Sequence, residues 1–154
     1  MIWLLDTDTV INMIRGLNLV SPRNLKQVAL HKQGHRIFDR ARKYSALGVE
    51  VALSAITVAE LEFGARRSRQ YERERSLLQR ILLPFIHLDF EAKECAVSYG
   101  KIRHDLEARG CTIGSLDTLI AAHALATNAT LVTNNTREFN RVNGLLVANW
   151  SVNS

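Results

Sequence analysis

The strongest constraint on this chain is a repeated alternation of two patterns. Short, mainly apolar runs occur at Ile2–Leu5, Val51–Leu53, Ile86–Leu88 and Leu131–Thr133. Each is strand length and too short for a buried helix. Between them, apolar residues return every third or fourth position. Val10, Ile11 and Ile14 do so before Gly16, where a first helix is expected to close. Leu30, Ile37, Phe38, Ala41 and Tyr44 do so up to Gly48. Ala59, Leu61 and Phe63 follow Ser54, with Gly64 near that helix's end. Further helical stretches are Arg66–Arg80, Phe90–Arg109 and Ser115–Thr127, with a short turn at Glu138-Phe139. Leu145–Val147 is a candidate fifth strand. Strands without polar alternation are covered on both faces, which is the mark of a parallel sheet between helices. The expected fold is α/β: a three-layer α/β/α sandwich with a mainly parallel sheet of about four to five strands.

The chain's 154 residues, 47% of them hydrophobic and 23% charged, suit a single domain spanning 1–154 with a core of its own. Two cysteines, Cys95 and Cys111, with no CxxC, exclude a disulfide scaffold and a four-cysteine zinc site. The apolar opening stops at Asp6, short of a signal peptide or a membrane span, so a cytoplasmic protein without membrane contact is expected. Twenty Lys and Arg against 15 Asp and Glu leave a net charge of +5, which favours an anionic partner.

Three acids sit where a strand meets a helix. Asp6 ends the first strand, Glu60 lies in the helix after the second, and Asp117 opens the helix before the fourth. Ligands of open parallel sheets bind at the carboxyl edge of the strands, where Asp6 and Glu60 fall. Each acid also has a purely structural account. Asp6 can cap a helix, Thr57 to Glu60 fits a capping box, and Asp117 suits a helix dipole.

The surrounding residues add a resemblance. Leu4-Leu5-Asp6-Thr7-Asp8, Ser54 to Ala65, Ile113 to Ala124, and Leu131 to Val142 with Gly144-Leu145 and Asn149-Trp150 stand in the order of the PIN-domain nucleases. The match covers nearly the whole chain and is nearest to the VapC branch, the toxins of type II toxin–antitoxin pairs. The resemblance implies a metal-dependent endoribonuclease. It implies Asp6 and Asp117 as direct ligands of Mg²⁺ or Mn²⁺, with Glu60 ligating directly or through water. Such ions prefer oxygen donors. The family's fourth acid is replaced by Asn135, so Asn135, Thr133 and Glu138 are weaker candidates, and Asp8 can add charge. The resemblance also implies an RNA substrate, with transfer RNA a family-level expectation. A cognate VapB-type antitoxin and a homodimer are implied as well.

Two other readings stand beside this one. Asp6-Thr7-Asp8 also resembles the opening of haloacid-dehalogenase-like phosphatases, with Asp6 as nucleophile. A PIN-like chain can also serve as a non-catalytic RNA- or protein-binding module. For positioning RNA, the candidates are Lys32, Arg36 and Arg40 on one helical face, and Arg66 and Arg67 in a second cluster. The alternative for these residues is a solvated helix face. His31 and His35 read as a surface pair, and His123 as a packed helix residue.

Overall fold

The computed structural model describes residues 1–152. Five strands lie in one sheet: β1 (Ile2–Leu5), β2 (Glu50–Ser54), β3 (Ile86–Leu88), β4 (Thr130–Val132) and β5 (Val147–Ala148). Their order is β3-β2-β1-β4-β5, and every pairing is parallel. The helices are α1 (Thr7–Asn18), α2 (Leu25–Ala46), α3 (Ala55–Arg66), α4 (Tyr71–Leu82), α5 (Ala92–Ala108), α6 (Ser115–Ala126) and the single turn α7 (Thr136–Phe139).

Neighbouring residues of β1 feed opposite faces of the sheet. Leu4 packs with Ala52 and Leu131 against Ile102, Leu106, Ile120 and Ala124 of α5 and α6. Leu5 packs with Val51, Leu53 and Val132 against Val10, Met13, Ile37 and Leu82 of α1, α2 and α4. The central strands are therefore apolar at successive positions, as twice-covered parallel strands must be, whereas the edge strand β3 exposes Ile86 and His87. The expected α/β/α sandwich is the observed one.

Register places the functional end. Leu5 pairs with Leu53 on one side and with Val132 on the other. The next residues, Asp6, Ser54 and Thr133, consequently lie side by side at the sheet's carboxyl edge, with Ser54 still paired to Leu88 of β3. The Asp6 amide extends the pairing by one bond, to the Val132 carbonyl at 3.0 Å.

The structure departs from the sequence expectation in three elements. Gly16 does not end α1, which runs on to Asn18. A Cβ there would stand 2.4 Å from the Leu30 carbonyl oxygen and 2.7 Å from Gly34 Cα, so the glycine lets α1 and α2 touch backbone to backbone. The charged stretch 66–80 is not one helix. α3 ends at Arg66 and α4 starts at Tyr71, with Ser68 accepting from the Gln70 amide in the break. The fifth strand is Val147–Ala148 rather than Leu145–Val147, because those two residues are the ones aligned with Leu131 and Val132. Among the described residues, no helix is long and apolar enough to cross a membrane.

Candidate active site

Asp6 is 3% exposed, and its carboxylate accepts from the Thr9 amide at 2.8 Å, capping α1. Thr133, one residue past β4, also hydrogen-bonds it, while its own hydroxyl accepts from the Asn135 amide at 2.9 Å. Burial pushes the Asp6 carboxyl above its usual range, against the pull of the Thr133 and Thr9 bonds. The capping account of Asp6 therefore holds, and the same side chain remains a strained anion at the sheet edge.

Glu60 does not close a capping box. Ser54 caps α3 by accepting from the Ile56 amide at 3.1 Å, which places Glu60 inside the helix. Its carboxylate instead accepts from the hydroxyl of Thr7 at the start of α1. The Thr57 hydroxyl is 3.3 Å from the same Thr7 oxygen. Thr7 thus ties the first turn of α1 to the middle of α3.

Asp117 lies in the first turn of α6, after Gly114. A Cβ on Gly114 would come within 3.0 Å of Asp117 Oδ2, so the glycine leaves room for the carboxylate to fold back. Its pKa is pushed up to about 6, first by burial and then by the charges of Asp6, Asp8, Glu138 and Glu60. Five acids from β1, α1, α3, α6 and α7 therefore share one electrostatic neighbourhood. Glu138 is held there by Asn135, whose amide donates to it at 2.9 Å.

Three of these acids, Asp8, Glu60 and Asp117, line a groove of about 930 Å³ together with Thr7. Asp8 lies on its rim. Among the described residues, no three acid, histidine or cysteine side chains close into a ready-made metal cage. Open geometry with oxygen donors nonetheless fits Mg²⁺, which keeps several waters and takes one or two carboxylates. Mutually raised carboxylates are the second mark of fit, because a divalent cation relieves their repulsion.

The basic candidates separate. Arg67 lines the groove, and so does Arg15, which the sequence did not single out. Arg36 donates to the Ser151 carbonyl at 3.0 Å, and Arg40 donates to the Asn149 and Val152 carbonyls. Those two anchor the segment after β5. Arg66 pairs with Glu62 at 3.4 Å and lies 3.8 Å from the Tyr71 ring centroid. Lys32 is exposed on α2 and lies outside the groove lining. Arg15 and Phe63 are groove residues that sequence reasoning passed over as site candidates, whereas Asp8 was expected to add charge. Asp8, Ile11 and Arg15 fall on one face of α1 at helical spacing, which is the signal that could have found Arg15.

His123 is fully buried, and its Nδ1 is 2.8 Å from the Ser54 hydroxyl. The cap of the Glu60 helix is thereby bonded to the helix that carries Asp117. Burial lowers the His123 pKa, so the ring is neutral at pH 7.

A parallel sheet with acids gathered at its carboxyl edge, on helices from both faces, defines a PIN-type nuclease fold. The PIN domain family matches residues 28–145, and the chain belongs to that family. Asp6 stands outside the matched range, and the sheet register brings it to the site. Its relatives are VapC ribonucleases. Ribonuclease VapC2 of Rickettsia felis is 46% identical over 100 residues, 65% of this chain and 74% of that protein. The tRNA(fMet)-specific endonuclease VapC of Shigella flexneri is 37% identical over 102 residues, 66% of this chain and 76% of that one. A chain of the crystal structure of Rickettsia felis VapBC2 bound to a promoter DNA fragment superposes with a TM-score of 0.81 at 35% identity. That superposition covers 97% of this chain and 99% of the other. The phosphatase alternative finds no support in these likenesses, and no lysine lines the groove.

Proposed function

We propose that the chain is an endoribonuclease of the VapC kind, hydrolysing RNA phosphodiester bonds with Mg²⁺ or Mn²⁺ held by its carboxylates. The observation that carries this is the meeting of Asp6, Glu60, Asp117 and Glu138 in one electrostatic neighbourhood at the sheet edge. Asp6 and Asp117 are the direct ligands. Glu60 ligates directly or through water. Asn135 and Thr133 orient Glu138 and Asp6, respectively. A divalent ion bound there supplies an acidified water and neutralises charge on the attacked phosphate. In the chain itself, the Thr133 and Thr9 bonds favour the ionised form of Asp6 against the opposing effect of burial. The chain also fixes Glu60 against rotation through Thr7.

The name of the Shigella relative makes transfer RNA the first substrate to try. The VapBC structures make a VapB-type antitoxin the expected partner. A homodimer is the expected assembly.

The test is digestion of total cellular RNA with Mg²⁺, followed by mapping of the new ends. Asp6→Asn and Asp117→Asn are each expected to lower the cleavage rate by at least about 100-fold, and EDTA to remove cleavage. Cleavage by either variant at the parent rate, or unchanged cleavage in EDTA, defeats the assignment.

A further inference from the structure

The groove has a second half that the carboxylates do not use. Phe63 follows Glu60 by three residues and Arg67 follows Phe63 by four, so all three stand on one face of α3. The stripe covers about 10 Å at roughly 1.5 Å per residue. Phe63 is 64% exposed although it belongs to the groove wall, and Leu116, beside Asp117, is 45% exposed. The Arg67 guanidinium lies 5.8 Å from the Phe63 ring centroid. Arg15 reaches the groove from α1.

Gly64 adds an independent observation. It sits inside α3, where a glycine costs about 1 kcal/mol relative to alanine. Gly16 and Gly34 justify their missing side chains by backbone contact, but a Cβ at Gly64 would meet nothing within 4 Å. No contact within the described chain requires a bare helix surface there, next to an exposed ring, in the groove that holds the acids.

We infer that Phe63, Gly64, Arg67 and Arg15 form a nucleotide subsite that takes an unpaired base beside the cleaved phosphodiester. The base stacks on the Phe63 ring, its sugar lies over the bare backbone at Gly64, and the two guanidiniums hold neighbouring phosphates. Stacking on an aromatic side chain requires a base free of its own helix, so the substrate class is single-stranded or loop RNA. The positive rim supplies the charge complementarity that the carboxylates lack. The inference rests on the ribonuclease reading above and deepens it.

The test separates the two. Binding is measured in an Asp6→Asn background with Mg²⁺, using a short unstructured RNA carrying the fluorescent base 2-aminopurine. The same strand annealed into a duplex is the control. Stacking is expected to quench the fluorophore in the single strand and not in the duplex. Phe63→Ala should weaken binding by about 5- to 150-fold, the range given by about 1–3 kcal/mol of stacking. Phe63→Trp should restore it, and Phe63→Leu, apolar but without a ring face, should not. Gly64→Leu should raise the melting temperature through helix propensity while weakening RNA binding, opposite signs that a structural role does not produce. Equal binding of duplex and single strand overturns the subsite. So does parent-like binding by Phe63→Leu or Gly64→Leu. Variants that change elution volume by splitting a dimer, with RNA affinity intact, assign the patch to chain–chain contact and also overturn it. Degradation of the RNA in the Asp6→Asn background instead defeats the catalytic assignment.

Discussion

At the scale of single residues, the site stores electrostatic tension. Asp117 has a pKa of about 6 in the fold against an ordinary 3.8, and Asp6 is raised as well. A carboxyl with a raised folded pKa binds more protons folded than unfolded between the two values. Its burden on stability is therefore absent at low pH and grows as pH rises through that window. For Asp117 the burden at pH 7.5 is about 1–2 kcal/mol once solvent screening of a half-exposed group is allowed for. Without metal, the melting temperature is expected to be about 2–8 °C lower at pH 7.5 than that group alone would give at pH 4. Added Mg²⁺ should raise it more at pH 7.5 than at pH 5, as differential scanning fluorimetry can record. Equal Mg²⁺ shifts at both pH values would contradict the carboxylate site. Asp6 and Asp117 were legible in the sequence because each follows or opens an element at a readable boundary, and Glu60 because it lies in the helix directly after the second strand. Phe63 was not, because an aromatic at helical spacing reads as core. Only the three-dimensional surface shows that this one faces outward.

At the scale of elements, two contacts fix how the acid-bearing helices sit. The touching backbones of Gly16 and Gly34 set the separation of α1 and α2. Gly34→Ala puts a Cβ 2.7 Å from Gly16 Cα and 2.9 Å from the Met13 carbonyl. It should cost about 1–3 kcal/mol or more, read as a lower urea midpoint. An unchanged midpoint would show that the helices can slide apart freely. The buried Ser54–His123 bond does the same for α3 and α6. His123→Ala removes the partner of a buried hydroxyl and opens a cavity, and should cost about 2–4 kcal/mol in the same measurement. The sequence showed the helices themselves through their periodicity. It could not show that Gly16 is a contact rather than a stop, because both give a glycine near the end of an apolar pattern. The lateral partner, 18 positions away, decides. The break between α3 and α4 was hidden for a related reason. Arg66–Gln70 is polar throughout, so no apolar stripe marks where one helix yields to the next.

At the scale of the whole molecule, a net charge of +5 is the difference between an acidic cleft and a basic remainder. On the proposed function, long-range attraction for RNA comes from that remainder and from Arg15 and Arg67 of the groove, while the carboxylates oppose it. Each phosphate neutralised on a single strand adds about 0.7 to the slope of log affinity against log salt. Arg67→Ala should therefore flatten that slope by about 0.7, whereas Lys32→Ala, outside the groove, should leave it nearly unchanged. Equal slopes for the parent and Arg67→Ala would remove Arg67 from phosphate contact. The fold class was legible at this scale because alternating strand and helix signals permit few layer arrangements. The tasks of Arg36 and Arg40 were not, since their partners are backbone carbonyls more than 100 residues away, which side-chain identity does not reveal.

The central place of β1 has a consequence for the life of the chain. Asp6 precedes its neighbours Val132 and Thr133 by more than 120 positions in the order of synthesis. A growing polypeptide on the ribosome, surrounded by RNA, carries the first acid long before the strand that seats it exists. Closing that pairing requires a loop of well over 100 residues, a slow and non-local step. The chain has no assembled cutting edge until translation has passed Thr133, and a partner awaiting it can meet the finished groove as it first forms.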